Sequence, residues 1–462
     1  MQRLISILLV LCAVCVPIAC AAQNVDGYFD TSFAGVGYER VDVTSSLSDK
    51  GQVLRIQPDG KLLMAGTCGV GAQNFPAFCA TRLRANGSYD NGLDGFGPGR
   101  LGYVSFANFQ DMPQTVLGDM QRLGDGRYLF LGTVFSQILL AVLTADGSSL
   151  DSSAAGGAGY LISSYHDGVS GYARVLLVEP DGKILVAGDA TGPNGNEDMA
   201  IKRFMPDFSV DTGFGNAGYQ TIAFDLGGPS GSNADYAYSV AVQSDGRIVL
   251  AGTAGGPAIS AIAIARLLPN GQPDPSFGQN QDGRATFVVG DEPSYAAAAR
   301  IDAQGRIVLV GYIQSTTEDQ CLIDRLLTDG SQDPSFNAGS AQSFLVPIGG
   351  FSGGCQLFDL AVNTDGTILA VGSAINDAGG KYFTAARLTP NGELDSSFGI
   401  GGKSYGTFST TNTVVERATS VAIGNGGLMI GGYSIETSNG DIQFGIAKLT
   451  LTLHIFANGF DN

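Results

Sequence analysis

The chain contains no tryptophan and only two histidines, His166 and His454. The first absence leaves any sugar-stacking or aromatic recognition to its Tyr and Phe. The second argues against zinc, because neither His has a partner His or Cys at ligand spacing. Basic residues are few, 25 Lys and Arg against 43 Asp and Glu. A net charge of −18 excludes nucleic acid and anionic membranes as natural partners. Only 15% of residues are charged, so this is a sparse surface of one sign rather than a disordered acidic tract. No long 3.6-residue apolar period appears. Beyond the first 22 residues no apolar run is long enough to span a bilayer, so no transmembrane segment is expected.

The N-terminus reads as a secretory signal over 1–22. Arg3 supplies the positive charge, an apolar run follows from Leu4 to Val16, and "PIACAAQ" offers cleavage after Ala21 or Ala22. A lipoprotein anchored at Cys20 is the minor alternative, weakened by Pro17 where Leu is usual. The expected address is secreted, periplasmic or on the cell surface. Three cysteines lie in the signal and four remain: Cys68, Cys79, Cys321 and Cys355. An even number in an exported chain suggests two disulfides. Cys68 and Cys79 flank one loop. Cys321 enters a third strand and Cys355 precedes the first strand of the next repeat on the same face, so the expected pairs are Cys68–Cys79 and Cys321–Cys355.

What is abundant is repetition. "EPDGKILVAG" (179–188) returns as "PDGKLLMAG", "SDGRIVLAG", "AQGRIVLVG" and "TDGTILAVG". Three landmarks recur in order: the Gly of the "DGK" turn, the start of an "RL" pair, and the Asp of "LDxSFG". The Asp copies are Asp30, Asp90, Asp151, Asp211, Asp274, Asp333 and Asp395, spaced 60, 61, 60, 63, 59 and 62 residues apart. A period near 60 over seven copies overrides any domain count based on length. Each copy reads as four strands, with Asp-Gly as a two-residue hairpin turn after the first. This predicts an all-β, seven-bladed β-propeller of four-stranded antiparallel blades over 23–453, followed by a tail at 454–462. Asp30 has no Arg before it, and Lys448 has Phe456 eight residues on instead of Asp. The N-terminal "FDTSFAGVGYERVDV" is therefore expected to supply the outer strand of the last blade and close the ring.

The pattern "DGKILVAG … RLxxDGxLDxSFG" resembles the delta-60 repeat family, a bacterial β-propeller-like domain of unknown function. The resemblance covers nearly the whole mature chain. It implies secreted or surface proteins and supplies no catalytic residues. The second repeat departs most: "VLTADGSSLDSSAAGG" lacks both Arg and Phe, and a distorted blade is expected there. The terminal "HIFANGFDN" is similar to short endings on secreted bacterial proteins, and is read as a plain surface tail.

The repeated Asp is read as a turn residue that can also meet the Arg across its hairpin. An active site needs unlike groups converging once, and these are like groups spread over seven copies. "GFSGG" (350–354) fits a nucleophile elbow and "GPGRLG" (97–102) a dinucleotide loop, but neither is followed by the required helix pattern. Acidic loops at 194–198, 316–319 and 438–441 allow at most weak Ca2+ binding, and no cofactor is expected. Loops between the second and third strands, and from one repeat to the next, vary in length. The other two connections are nearly constant. Variable loops on a rigid scaffold are where binding resides. The reading is a monomeric, non-catalytic scaffold that binds an extracellular protein or surface polymer through its variable-loop face. An extracellular enzyme with a site at the channel mouth, or a purely structural envelope protein, stands as the alternative.

Overall fold

The computed structural model describes residues 26–451 except 45–47, 72–73, 107–114, 167, 193–194, 228–232, 257–259, 349–350, 376–378, 410–413, 425 and 437–438. The expected signal segment, Cys20, His454 and the tail lie outside the described residues. The fold is all-β. The repeats alternate apolar runs with Gly-rich turns, and each run becomes a strand. In the fourth copy these are Asp235–Val242, Ile248–Ala254, Ala261–Leu267 and Arg284–Phe287, paired antiparallel in that order. The middle two strands are buried along their whole length, as strands covered on both faces must be. Five such four-stranded sheets stand alone. Eight further strands divide into Cys355–Val362 through Lys403–Gly406, and Val414–Gly424 through Ile442–Thr450 with Tyr38–Val41 at the outer edge. A single parallel bridge between Lys381 and Val415 joins these two groups. The N-terminal strand pairs antiparallel with the last strand, Tyr38 opposite Ala447 and Val41 opposite Phe444.

Apolar side chains fill the spaces between sheets. One cluster joins Phe78 and Phe130 of the first two repeats. Another sets Val41, Met429 and Phe444 against Leu54 and Met64, which places the last sheet on the first. Each first strand packs against the first strands of both neighbours, Asp49–Ile56 against Val414–Gly424 included. These first strands are therefore the inner ones, around a common axis.

The turn after each first strand differs from the two-residue hairpin expected. Gly60 N–H donates to Gln57 O and Gln57 N–H to Lys61 O, both at 2.8 Å, so three residues form the loop. Gly60 takes a left-handed φ of 80°, and Asp59 accepts from Lys61 N–H at 3.1 Å. One positive-φ residue after a tight turn suffices here, whereas a two-residue turn of the first primed type needs two.

A second recurring unit joins neighbouring sheets. Arg325 gives Nε to Asp333 at 2.7 Å and a terminal nitrogen to Pro390 O of the next repeat at 2.6 Å. Its guanidinium lies 4.8 Å from the Phe336 ring centre. Phe336 packs on Gly392 of the next repeat, and Asn337 N–H donates to Asn391 O at 2.7 Å. Equivalent Phe–Gly contacts are Phe33–Gly87, Phe96–Gly147, Phe214–Gly271, Phe277–Gly330 and Phe398–Gly27. A Cβ on any of these six glycines would sit 2.1 to 3.1 Å from the ring. Lys448 replaces the Arg in the last repeat and meets Asp30 at 2.7 Å, across the two ends of the chain.

The second repeat is not distorted. It forms a full sheet of Thr115–Arg122, Tyr128–Val134, Gln137–Leu143 and Tyr160–Ser163. Arg127, from the turn after the first strand, reaches Asp151 at 2.5 Å, the contact that Arg247 makes with Asp274 and Arg306 with Asp333 in repeats that keep the Arg as well. Ala154 stands where the other repeats have Phe, and the next repeat has Phe208 where they have Gly. Phe208 adopts the same left-handed φ, 70°, and lies with Ala154 in one buried cluster. The ring is thus supplied from the opposite side of the junction.

Two predictions follow from these junctions. Phe208→Gly should cost about 3–5 kcal/mol, as truncation of a buried Phe does. Adding Ala154→Phe should recover most of it, so a double-mutant cycle by chemical denaturation should show strong coupling. Additive losses would refute the exchange. Arg325 and Asp333 side chains are 2% and 3% exposed, so the pair is buried rather than on the surface. Arg325→Ala should therefore cost about 3–5 kcal/mol, read as a lower denaturation midpoint, instead of the 0–1 typical of exposed pairs.

Candidate functional site

The seven repeated Asp residues do not converge. Each stands in its own turn on the constant-loop face. Asp333 Oδ1 accepts from Ser335 N–H and Oγ at 2.9 and 2.7 Å while Oδ2 holds Arg325. Burial pushes the Asp333 carboxyl up, but the Ser335 and Arg325 hydrogen bonds together hold it below the usual range. Asp151 is lowered to about 2 by Ser153 N–H and Arg127. These carboxylates are engaged in turns and junctions, each in its own repeat.

The disulfides are Cys68–Cys79, with Cα atoms 5.9 Å apart, and Cys321–Cys355, at 5.0 Å. The first ties one hairpin. The second links the third strand of the fifth repeat to the inner strand of the sixth. Ser352 lies in the short strand Phe351–Gly353, and Cys355–Val362 follows it where an elbow requires a helix. After Gly97 comes one short turn, Pro98–Arg100, and then the strand Tyr103–Phe106. His166 is half-buried and its ring stacks on Tyr219 at 4.6 Å. Among the described residues no three of His, Cys, Asp and Glu are grouped as a metal ion would need.

A different set of residues does converge, and the repeat landmarks did not point to it. Every inner strand carries a β-bulge, between Ala173 and Val175 or Ala237 and Ser239 for example. The bulged residue, and the residue two before it, stand at the variable-loop end of the inner strands. In the third to seventh repeats these positions hold Tyr172 and Arg174, Tyr236 and Tyr238, Tyr295, Gln356 and Phe358, and Arg417. Tyr172 and Tyr238 are 50% and 39% exposed, unusual for Tyr in a β-sheet interior. The Arg174 guanidinium lies 5.9, 5.2 and 5.1 Å from the ring centres of Tyr172, Tyr236 and Tyr238. Asp189, on the adjacent strand and fully buried, fixes Arg174 Nε at 2.5 Å. Tyr295 stacks on Tyr312 across the hairpin at 4.7 Å and 13°, and its hydroxyl donates to Gln314 at 3.0 Å. Further round, Arg417 lies 3.8 Å over Phe358, and Gln356 donates to Asp319 at 2.6 Å.

Burial raises the Tyr236 and Tyr238 hydroxyls, and Tyr312 is pushed up to about 12 by burial and then by Tyr295. All three stay protonated and able to donate at any physiological pH. Burial also raises Asp189, against the pull of Arg174. The signal for this rim was present in the sequence as "YAR", "YAY" and "YAA" at the start of three successive repeats. It reads as ordinary strand alternation, because the sequence does not mark where the bulge falls.

Five segments, 57–92, 179–214, 243–277, 304–336 and 364–398, match the family model described as a domain of unknown function (DUF5122) beta-propeller. Each begins at the first turn and ends near the "SFG" Phe. The second and seventh repeats, where Arg or Phe is replaced or the unit is split between the chain ends, are not among them. The fold is a β-propeller. No curated protein matches the chain. Solved structures that it is similar to include Sqt1 from Chaetomium thermophilum, at 11% identity over 90% of this chain and 98% of that one, TM-score 0.48. Virginiamycin B lyase from Staphylococcus aureus, crystallised as an inactive variant with quinupristin, is 11% identical over 90% and 99%, TM-score 0.45. An α-L-arabinanase from Penicillium chrysogenum with arabinobiose is 11% identical over 79% and 98%, TM-score 0.41. At this distance the likenesses say nothing about activity.

Several carboxyls are raised by burial: Asp235 and Glu416 to about 7, Asp198 and Asp324 to about 6. Their folded form holds the proton more tightly than the unfolded chain. Their burial therefore penalises the fold above these values, and the penalty fades as pH falls toward the unfolded value. The turn carboxylates act in reverse, stabilising above their unfolded value and losing that contribution as pH falls toward about 2 for Asp151. The melting temperature should rise as pH is lowered from about 8 to about 5, then drop below about 4. Asp235→Asn should flatten the rise. A melting temperature that falls steadily from pH 8 to 5 would contradict this.

Proposed function

We propose that the protein is an exported, non-catalytic β-propeller, a closed ring of seven blades that binds an extracellular partner through its variable-loop face. The observation that carries this reading is the division of labour between the two ends of the strands. At one end the same turn, Arg–Asp pair and Phe–Gly contact recur, with their polar atoms committed to structure. At the other end the connections differ between repeats, and the inner strands present an uneven rim of Tyr, Phe, Arg and Gln. Four observations support closure: pairing of Tyr38–Val41 with Ile442–Thr450, the Phe33–Gly87 and Phe398–Gly27 contacts, and the Lys448–Asp30 pair. Two disulfides suit an oxidising compartment. Among the described residues no helix is long and apolar enough to cross a membrane. The reading requires no cofactor and no second subunit.

Only part of the segment 189–200 connects strands. Strands Ile184–Thr191 and Glu197–Phe204 take the rest, with Asp189, Asp198 and Met199 buried. The test of the two faces is confined accordingly. Gly182 has φ +85°, and a Cβ there would meet Pro206 at 3.2 Å, so Gly182→Val should lower the melting temperature. Replacing 192–196 with a Ser-Gly sequence should leave the melting temperature within about 2 °C while reducing attachment of the labelled protein to the producing cells. A loop variant that unfolds, or attachment insensitive to every variable-face change, would overturn the assignment of binding to that face.

A further inference from the structure

We propose that the inner-strand rim formed by Tyr172, Arg174, Tyr236, Tyr238 and Tyr295, with Tyr312 of the adjoining strand stacked on Tyr295, binds a neutral polysaccharide chain. This rests on the variable-face reading above and names its ligand class. A sugar ring offers an apolar C–H face and a hydroxyl edge, and it needs both kinds of surface within one ring's width. The rim alternates them. Within the fourth repeat the Tyr236 and Tyr238 ring centres lie 6.2 Å apart, Arg174 of the third repeat reaches both of them and Tyr172, and the Tyr hydroxyls can donate. Asp189 holds Arg174 in place among them, so its remaining N–H groups are positioned donors that need no ordering on binding. Tyr presents large rigid area at low entropic cost.

Other chemistries fit less well. A cationic ligand approaching Tyr172, Tyr236 or Tyr238 would be repelled by the Arg174 guanidinium beside all three. An anionic polymer would approach a chain of net charge −18. A protein partner needs roughly 800 Å² of contiguous surface with a dry centre. Here the rim stands on the inner strands, inside the circle of connecting loops, and is half polar. A chain one sugar wide meets that shape better than a flat partner.

The test is affinity electrophoresis of the full mature chain in gels cast with mixed-linkage β-glucan, galactomannan, arabinoxylan or dextran, with alginate as an anionic comparison. At least one neutral polysaccharide should retard the wild type, and alginate should not. Tyr236→Ala and Tyr295→Ala should each weaken retardation about tenfold, the loss of one stacking contact. Tyr236→Phe should keep most of it, and Leu93→Ala, exposed and remote from the rim, should change nothing. If Tyr236→Ala lowers the melting temperature, the more exposed Tyr172→Ala takes its place. The retarding polysaccharide should also compete with attachment to cells. Absence of retardation by all four neutral polymers would overturn the proposal, as would retardation unaffected by the Tyr variants. Attachment abolished by protease treatment of the cells, but untouched by neutral polysaccharide, would sink the ligand class and leave the variable-face reading standing.

Discussion

The architecture depends on one junction, repeated around the axis: an Arg clamped by the Asp of its own repeat, reaching a carbonyl of the next, with a Phe pressed onto a side-chain-free turn. A β-sheet has no directional preference for the sheet behind it, and apolar packing alone tolerates sliding. The Arg supplies direction, because its planar fork satisfies two partners at fixed angles. The Phe supplies exclusion of water, which makes the buried ion pair stiff. Arg325 and Asp333 are nearly inaccessible for this reason, and the lowered Asp333 carboxyl follows from the same geometry.

This constraint explains how much could be read in advance. Arg, Asp, Phe and Gly recur because most of the junctions are built from these parts, so the repeat, the strand count and the N-terminal strand were legible. So were the four cysteines Cys68, Cys79, Cys321 and Cys355, which form the expected pairs. The rim was not legible. Its residues vary from repeat to repeat, and their orientation depends on a bulge whose register the sequence does not mark. The turn type was misread because Asp-Gly serves two kinds of hairpin. The second repeat was misjudged because its missing ring is supplied by Phe208, from a different repeat. A search for that side chain within the repeat itself cannot find it.

The same junction makes folding a long-range affair. Asp26 and Gly27 contact the Arg387 and Phe398 region, while Phe33 contacts Gly87. A segment of fewer than twenty residues therefore holds both neighbours of the last sheet. Contacts between chain positions hundreds of residues apart are slow to form. Until the final strand arrives, the inner strands can pair with their neighbours but the N-terminal strand has no partner.

The exchanged Phe at the second junction also bears on interchangeability. Six junctions use like parts, and in principle any of those repeats could follow any other. The second and third cannot be separated. Moved apart, Ala154 would face a bare glycine and leave a hole, while Phe208 would confront another ring already in its place. The pair acts as a keyed joint among otherwise generic ones. It fixes the order of the repeats at one point, so a copy gained or lost by duplication must include both halves of that joint or neither.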